Sequence, residues 1–175
     1  MKKIFAIFIY FIVFLISLIA FLPKESMYNL AENELVKKDI VISNEIKEEK
    51  LFGIVISNAN VYYQGINIGK FDNISLSSYL FFSRIDISNV SVLDSFALII
   101  PNQIKDVSIE HSILAFNKIK INSNGTFGNL KGEFDIFTRS LRIQLIASDE
   151  MKNKYSKILK SMKLENGEYI YEYKF

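Results

Sequence analysis

The chain has no cysteine and a single histidine, His111. Those two gaps exclude a disulfide framework and any zinc site built from thiolate and imidazole ligands. Tryptophan is absent too, and the seven glycines are never gathered into a phosphate-cradling loop. Charge of one sign is also missing. Twenty-one Lys and Arg face nineteen Asp and Glu, for a net charge of +2 and a pI near 8.6. A balance that mild gives no field for nucleic acid, so no direct nucleic-acid partner is expected. Low-complexity tails, charge blocks and exact repeats are lacking as well.

What the chain does have is one long apolar run, Ile4 to Leu22, preceded by Lys2 and Lys3. At about 1.5 Å per residue such a run crosses a hydrocarbon core of roughly 30 Å as a single helix. Phe, Ile and Leu surround it on every face, which argues against a buried helix of a soluble protein. A cleaved signal peptide is the rival reading, but its apolar region usually spans about 7–15 residues and ends in small-x-small. Leu18 occupies the position two before Ala20, and no cysteine follows for lipoprotein processing. An uncleaved transmembrane anchor over residues 1–23 is the reading adopted. Lys2 and Lys3 favour a cytoplasmic N-terminus, while Lys24, Lys37 and Lys38 pull the other way. With so few residues before the span, the rest of the chain is expected on the far side, in the periplasm of a bacterium.

Residues 24–38 read as a connecting helix with Met27, Leu30, Ala31 and Leu35 on one face. From residue 39 to 175 the apolar period drops to two, and about 150 residues suffice for one core. Glu45 to Lys50 reads as a charged turn. Leu51–Tyr63 is a strand, Gln64-Gly65 a tight turn, and Ile66, Ile68, Ile74 and Leu76 return. Ile85 and Ile87 lie on opposite parity to Val90 and Val92, which demands a bulge or break at Ser88-Asn89. Phe96, Leu98 and Ile100 form a further strand, then Val107 to Ile113, then Ile119 and Ile121 before a turn at Asn122–Gly125. Phe134 and Ile136 pair with Leu141, Ile143 and Leu145. Ser148 caps a helix running to Lys163, striped with Met151, Tyr155, Ile158, Leu159 and Met162. Asn166-Gly167 turns into a last strand with Tyr169, Tyr171, Tyr173 and Phe175 on one face. The expected fold is mainly β: consecutive antiparallel strands in a curved sheet or partial barrel, with one N-terminal transmembrane helix and one C-terminal amphipathic helix.

No chemistry stands out. His111 alternates with Val107, Ile109 and Ile113 and reads as a strand residue, not a base. Glu133 and Asp135 share a strand face, but alternation with Phe134 and Ile136 explains them as a solvated outer surface. Catalytic, cofactor-binding and metal residues are therefore all expected to be none, and the protein is not expected to be an enzyme. The lysines of the late helix are expected in water, with the apolar stripe docked on the sheet; contact with anionic lipid is the alternative.

Three stretches resemble one family. Gly53 to Val61, the corner Tyr79-Leu80-Phe81-Phe82 with Arg84 to Val90, and Gly125 to Phe134 are similar to units of AsmA-like proteins and of the type II secretion inner-membrane protein N. The chain departs from that pattern in being short, poor in glycine and without tryptophan. The resemblance implies a curved sheet on the periplasmic face of the inner membrane, without catalytic residues. It further implies an accessory component of type II secretion or a related DNA-uptake system, in contact with envelope secretion proteins. An AsmA-like lipid-binding or lipid-transfer module with an apolar groove is the alternative.

Overall fold

The structure, a computed structural model, describes residues 2–96 and 99–175. Two helices come first, α1 (Lys2–Phe21) and α2 (Lys24–Val36). Eleven strands follow: β1 (Ile40–Ser43), β2 (Ile46–Lys50), β3 (Gly53–Tyr63), β4 (Ile66–Ser78), β5 (Phe82–Val92), β6 (Gln103–Ser112), β7 (Lys118–Gly125), β8 (Gly128–Asp135), β9 (Ser140–Ala147), β10 (Lys163–Glu165) and β11 (Glu168–Lys174). Between β9 and β10 lie two short helices, α3 (Asp149–Lys154) and α4 (Ser156–Leu159). All strands join one antiparallel sheet in the order β1-β3-β4-β5-β6-β7-β8-β9-β11-β10, with β2 also on β3. The sheet is open, so the mainly β class holds while full closure does not occur.

Helix α1 is long and apolar enough to cross a membrane and buries nothing against the rest of the chain. Helix α2 lies on β1, β2 and β3. It turns Tyr28, Glu32 and Leu35 inward, and leaves Met27, Leu30 and Ala31 exposed. Of the expected face only Leu35 turns inward, and the polar partners explain why. Lys47 of β2 sits 4.7 Å from the centre of the Tyr28 ring and binds Glu32 at 3.4 Å and Glu45 at 3.2 Å. Asn29 accepts from the same ammonium at 2.9 Å. Burial opposes the charge of Lys47, but Glu45 and Glu32 hold its pKa above the usual value. Burial, reinforced by the same two carboxylates, pushes the Tyr28 hydroxyl up. The β2 segment, read as a charged turn, is thus a strand whose lysine anchors the helix.

Four neighbouring strands reverse their inward parity on one transverse line. Ile54 and Ile56 give way to Ala59 in β3, Ile74 and Leu76 to Phe71 in β4, and Ile87 to Val90 in β5; all belong to one packed cluster. In β6 the change runs from Val107 and Ile109 to Ile104, which pairs with Val90. The flanking pairs place Asn58, Asp72, Asn89 and Lys105 side by side along this line. Asn58 and Asn89 take φ of 57° and 52°, the left-handed region that asparagine tolerates better than branched residues. A register shift at Lys105, between Ile104 and Asp106, absorbs the odd residue, so β7 needs no reversal. The break expected at Ser88-Asn89 is therefore one part of a crease across four strands.

Elsewhere the details move. Gln64 and Gly65 form the two-residue turn, with φ of 51° and 77°. Asn122–Gly125 is strand, and the turn falls on Thr126-Phe127, between Gly125 and Gly128. Gly128 has φ of 111° there, and an added Cβ would lie 2.1 Å from the Ile146 carbonyl oxygen. The strand expected through Phe96, Leu98 and Ile100 is not formed by its described residues. Phe96 and Ile100 lie in turns closed by Phe96 N–H donating to Leu93 O and Ile100 N–H to Phe96 O, and Leu98 lies outside the described residues.

The crease and the α2 clamp can each be checked by melting. Asn89→Val should lower Tm by the equivalent of about 1–2 kcal/mol, while Asn89→Gly should stay near wild type; equal melts would deny that φ at the crease matters. Among the described residues the buried Tyr28 hydroxyl has no hydrogen-bond partner. Tyr28→Phe should therefore leave the melt unchanged or raise it, whereas Tyr28→Ala should cost about 3 kcal/mol by denaturant titration.

Candidate functional site

The titratable residues singled out in the sequence come apart. His111 is half-buried, with Nε2 3.0 Å from the Phe116 carbonyl oxygen. Glu133 pairs with Lys118 at 2.7 Å. Asp135 accepts from the backbone N–H of Thr138 at 2.8 Å and of Phe137 at 2.9 Å, and from Asn117 at 3.0 Å. These bonds, that of Thr138 foremost, hold its carboxyl below the usual range. It is a turn cap. Among the described residues no three His, Asp or Glu gather at one point. A groove of about 790 Å³ follows the crease and is lined by Lys70, Asp72, Asn89, Lys105, Asn124 and Asn129 among others.

The inward face of the sheet is organised differently. Strand pairing aligns Ile54, Leu76, Ile85, Ile109, Ile121, Gly132, Ile143 and Tyr171 in one row across eight strands. The next row is Ile56, Ile74, Ile87, Val107, Ser123, Leu130, Leu145 and Tyr169. At one end of these rows α2 covers β3 through Tyr28, in one cluster with Ile54, Ile56, Ala59 and Phe71. At the other end Met151, Tyr155 and Leu159 pack with Phe127, Leu145 and Ala147.

That second cover was expected as one helix from Asp149 to Lys163, and it is two. Ser148 Oγ accepts from Met151 N–H at 3.0 Å, as a cap should. Tyr155, at φ −116° and ψ 28°, then breaks the run, and Lys163 already belongs to β10. The apolar stripe nevertheless docks on the sheet, and Lys152, Lys154, Lys157 and Lys160 remain exposed.

Between the two covers the apolar rows are bare. Ile85, Val107, Ile109, Ile119, Ile121 and Ile143 are half-buried and belong to neither packed cluster. Neighbouring strands close their flanks, so their remaining exposure points away from the sheet. Gly132 lies in the same row, where Ile121 fills its missing side chain at 3.3 Å from an ideal Cβ. The result is a half-buried aliphatic strip that neither helix covers. The sequence showed most strands and allowed an apolar groove, but which residues line the strip follows only once the register is known.

No protein-family profile, curated protein or solved structure matches the chain.

The packing of α4 gives a direct check. Leu159 is 5% exposed, so Leu159→Ala should destabilise the full-length protein by about 2–5 kcal/mol. Ile158→Ala, at a half-buried position, should cost clearly less. A melt unmoved by Leu159→Ala would mean that α4 is not part of the core.

Proposed function

We propose that this chain is a lipid-binding module held at a bacterial inner membrane by α1, with its sheet on the periplasmic side. The observation that carries this reading is the aliphatic strip between α2 and α3–α4. It offers an acyl chain a surface made mostly of Ile and Val side chains, at roughly 25 cal/mol per Å² of apolar surface removed from water. No polar chemistry is needed, in keeping with the dispersed carboxylates and the lone histidine. The resemblance to AsmA-like proteins points the same way.

The companion reading, an accessory component that contacts envelope secretion proteins, draws on the same resemblance. Strand addition would need a free sheet edge. Here β1 has four residues, β10 has three, and β2 carries Lys47, Glu48, Glu49 and Lys50. Edges so short and charged favour the face over the edge as the working surface.

The test is native mass spectrometry of the full-length protein released from a mild detergent, with a binding titration using a fluorescent phospholipid. Bound phospholipid is expected in the wild type, and Ile109→Asp or Ile121→Asp should weaken the titration about tenfold, since a carboxylate on the strip opposes acyl contact. No lipid adduct and no titratable binding in the wild type would overturn the proposal.

A further inference from the structure

The strip runs out at one end of the sheet, and that end is unusual. It holds the start of β3, the β4–β5, β6–β7 and β8–β9 connections and the end of β11. Tyr79 and Phe81, then Ile113, Leu114 and Phe116, then Ile136 and Phe137 stand exposed on the three connections, with Leu51 and Phe175 at the sides. Leu114 is 93% exposed and Phe137 70%. Rings meet across neighbouring connections, Phe116 against Phe137 at 5.5 Å and Phe52 against Tyr79 at 5.6 Å.

The backbone beneath these side chains is already bonded. Ile113 N–H donates to Phe81 O at 3.0 Å, Ile136 N–H to Asn117 O at 2.8 Å, and Phe175 N–H to Arg139 O at 2.9 Å. Ser112 caps the 3₁₀ turn Ile113–Ala115 by accepting from Leu114 N–H at 3.3 Å. Exposed aromatic and aliphatic tips of this kind suit the headgroup boundary of a bilayer.

The path of the chain shows which end of the domain faces the anchor. Glu25 N–H, at the start of α2, donates to Glu49 at 2.7 Å, and Glu49 pairs with Ile54 near the beginning of β3. At the far end of α2, Asp39 O accepts from Gln64 N–H at 2.9 Å, beside the opposite end of β3. Lys24 Nζ bonds the Ala20 carbonyl, so α1 joins the domain where α2 begins. The apolar helix and the row of exposed rings therefore leave the domain at the same end. The opposite end has exposed apolar residues of its own, Tyr63, Ile66, Leu93, Ile99 and Ile100, but no anchor.

We infer that this rim, centred on Phe81, Leu114, Phe116 and Phe137, is a second membrane contact, dipping into the bilayer beside α1. Aromatic and aliphatic tips at the headgroup boundary contribute by apolar burial, and α1 removes the entropic cost of a separate encounter. The aliphatic strip then opens directly onto the acyl region: Phe134, Leu141 and Ile119 link it to the rim through paired positions. The inference rests on α1 as the anchor and not on lipid occupying the strip.

Absence of tryptophan makes the test clean. Full-length Leu114→Trp, Phe137→Trp and Ile66→Trp proteins are reconstituted in phosphatidylcholine vesicles with and without brominated acyl chains. Ile66, 61% exposed, marks the opposite end. Bromine should quench the Leu114→Trp and Phe137→Trp proteins by about half, with blue-shifted emission, and leave the Ile66→Trp protein unaffected, as expected for side chains buried about 5–10 Å into the interface. Three equally unquenched signals would overturn the inference. So would quenching at Ile66→Trp alone or at all three sites, or a blue shift without quenching, which would mean that the rim meets a second copy of the chain. Lipid binding to the strip is read separately, so either proposal can fail without the other.

Discussion

The continuity of the inward face depends on one backbone constraint, the crease at Asn58, Asp72, Asn89 and Lys105. Side chains along a strand alternate strictly, so a long strand keeps its apolar residues on one face only while their spacing stays even. Strands β3 to β6 break that spacing, and each would push half of its apolar residues into water if the backbone ran uniformly. Two left-handed asparagines and one register shift restore the face. Without the crease, Phe71 and Val90 could not share a cluster with Ile74 and Ile87. The rows that cross the sheet, and the strip between the helices, are consequences of that repair.

The helices divide the face unequally. At one margin α2 is held through Lys47, whose ammonium satisfies Glu32, Glu45 and Asn29 and lies over Tyr28. Because Lys47 and Glu32 each keep about a fifth of their side-chain surface exposed, this cluster fixes position more than it adds stability. At the other margin α3 and α4 rely on Met151, Tyr155 and Leu159. A polar clamp and an apolar plug bracket a strip covered by neither. The arrangement concentrates exposed aliphatic surface where it adjoins the exposed rings of the connections.

Much of this architecture was legible in the sequence, and the losses have physical reasons. Alternation revealed most strands, Gln64-Gly65 revealed its hairpin, and the parity change at Ser88-Asn89 revealed a segment of the crease. The companion changes at Asn58, Asp72 and Lys105 escaped because their flanking polar residues blurred the alternation. Glu45–Lys50 looked like a turn because its charges hide the alternation by which Lys47 and Glu49 meet α2. In α2 the aliphatic residues suggested a buried face, yet the larger Tyr28, paired with Lys47, took the interior. Asn122–Gly125 has turn composition, but strand pairing satisfies its backbone and moves the turn to Thr126-Phe127. The corner at Tyr79–Phe82 was visible as an apolar run. That it would stand beside Ile113–Phe116 and Phe137 was not, since sequence alone carries no register between distant connections.

Sheet order also bears on how the chain assembles. From β3 to β9 every strand lies beside its immediate predecessor; β1 and β2 share β3, and β11 slips between β9 and β10. Contacts are therefore short-range along the chain, and loop-closure entropy is met in small instalments. Each hairpin can dock on the edge left by the one before, so the sheet can lengthen as successive residues become available. The insertion of β11 between β9 and β10 is the one step in this half of the sheet that does not simply extend the edge.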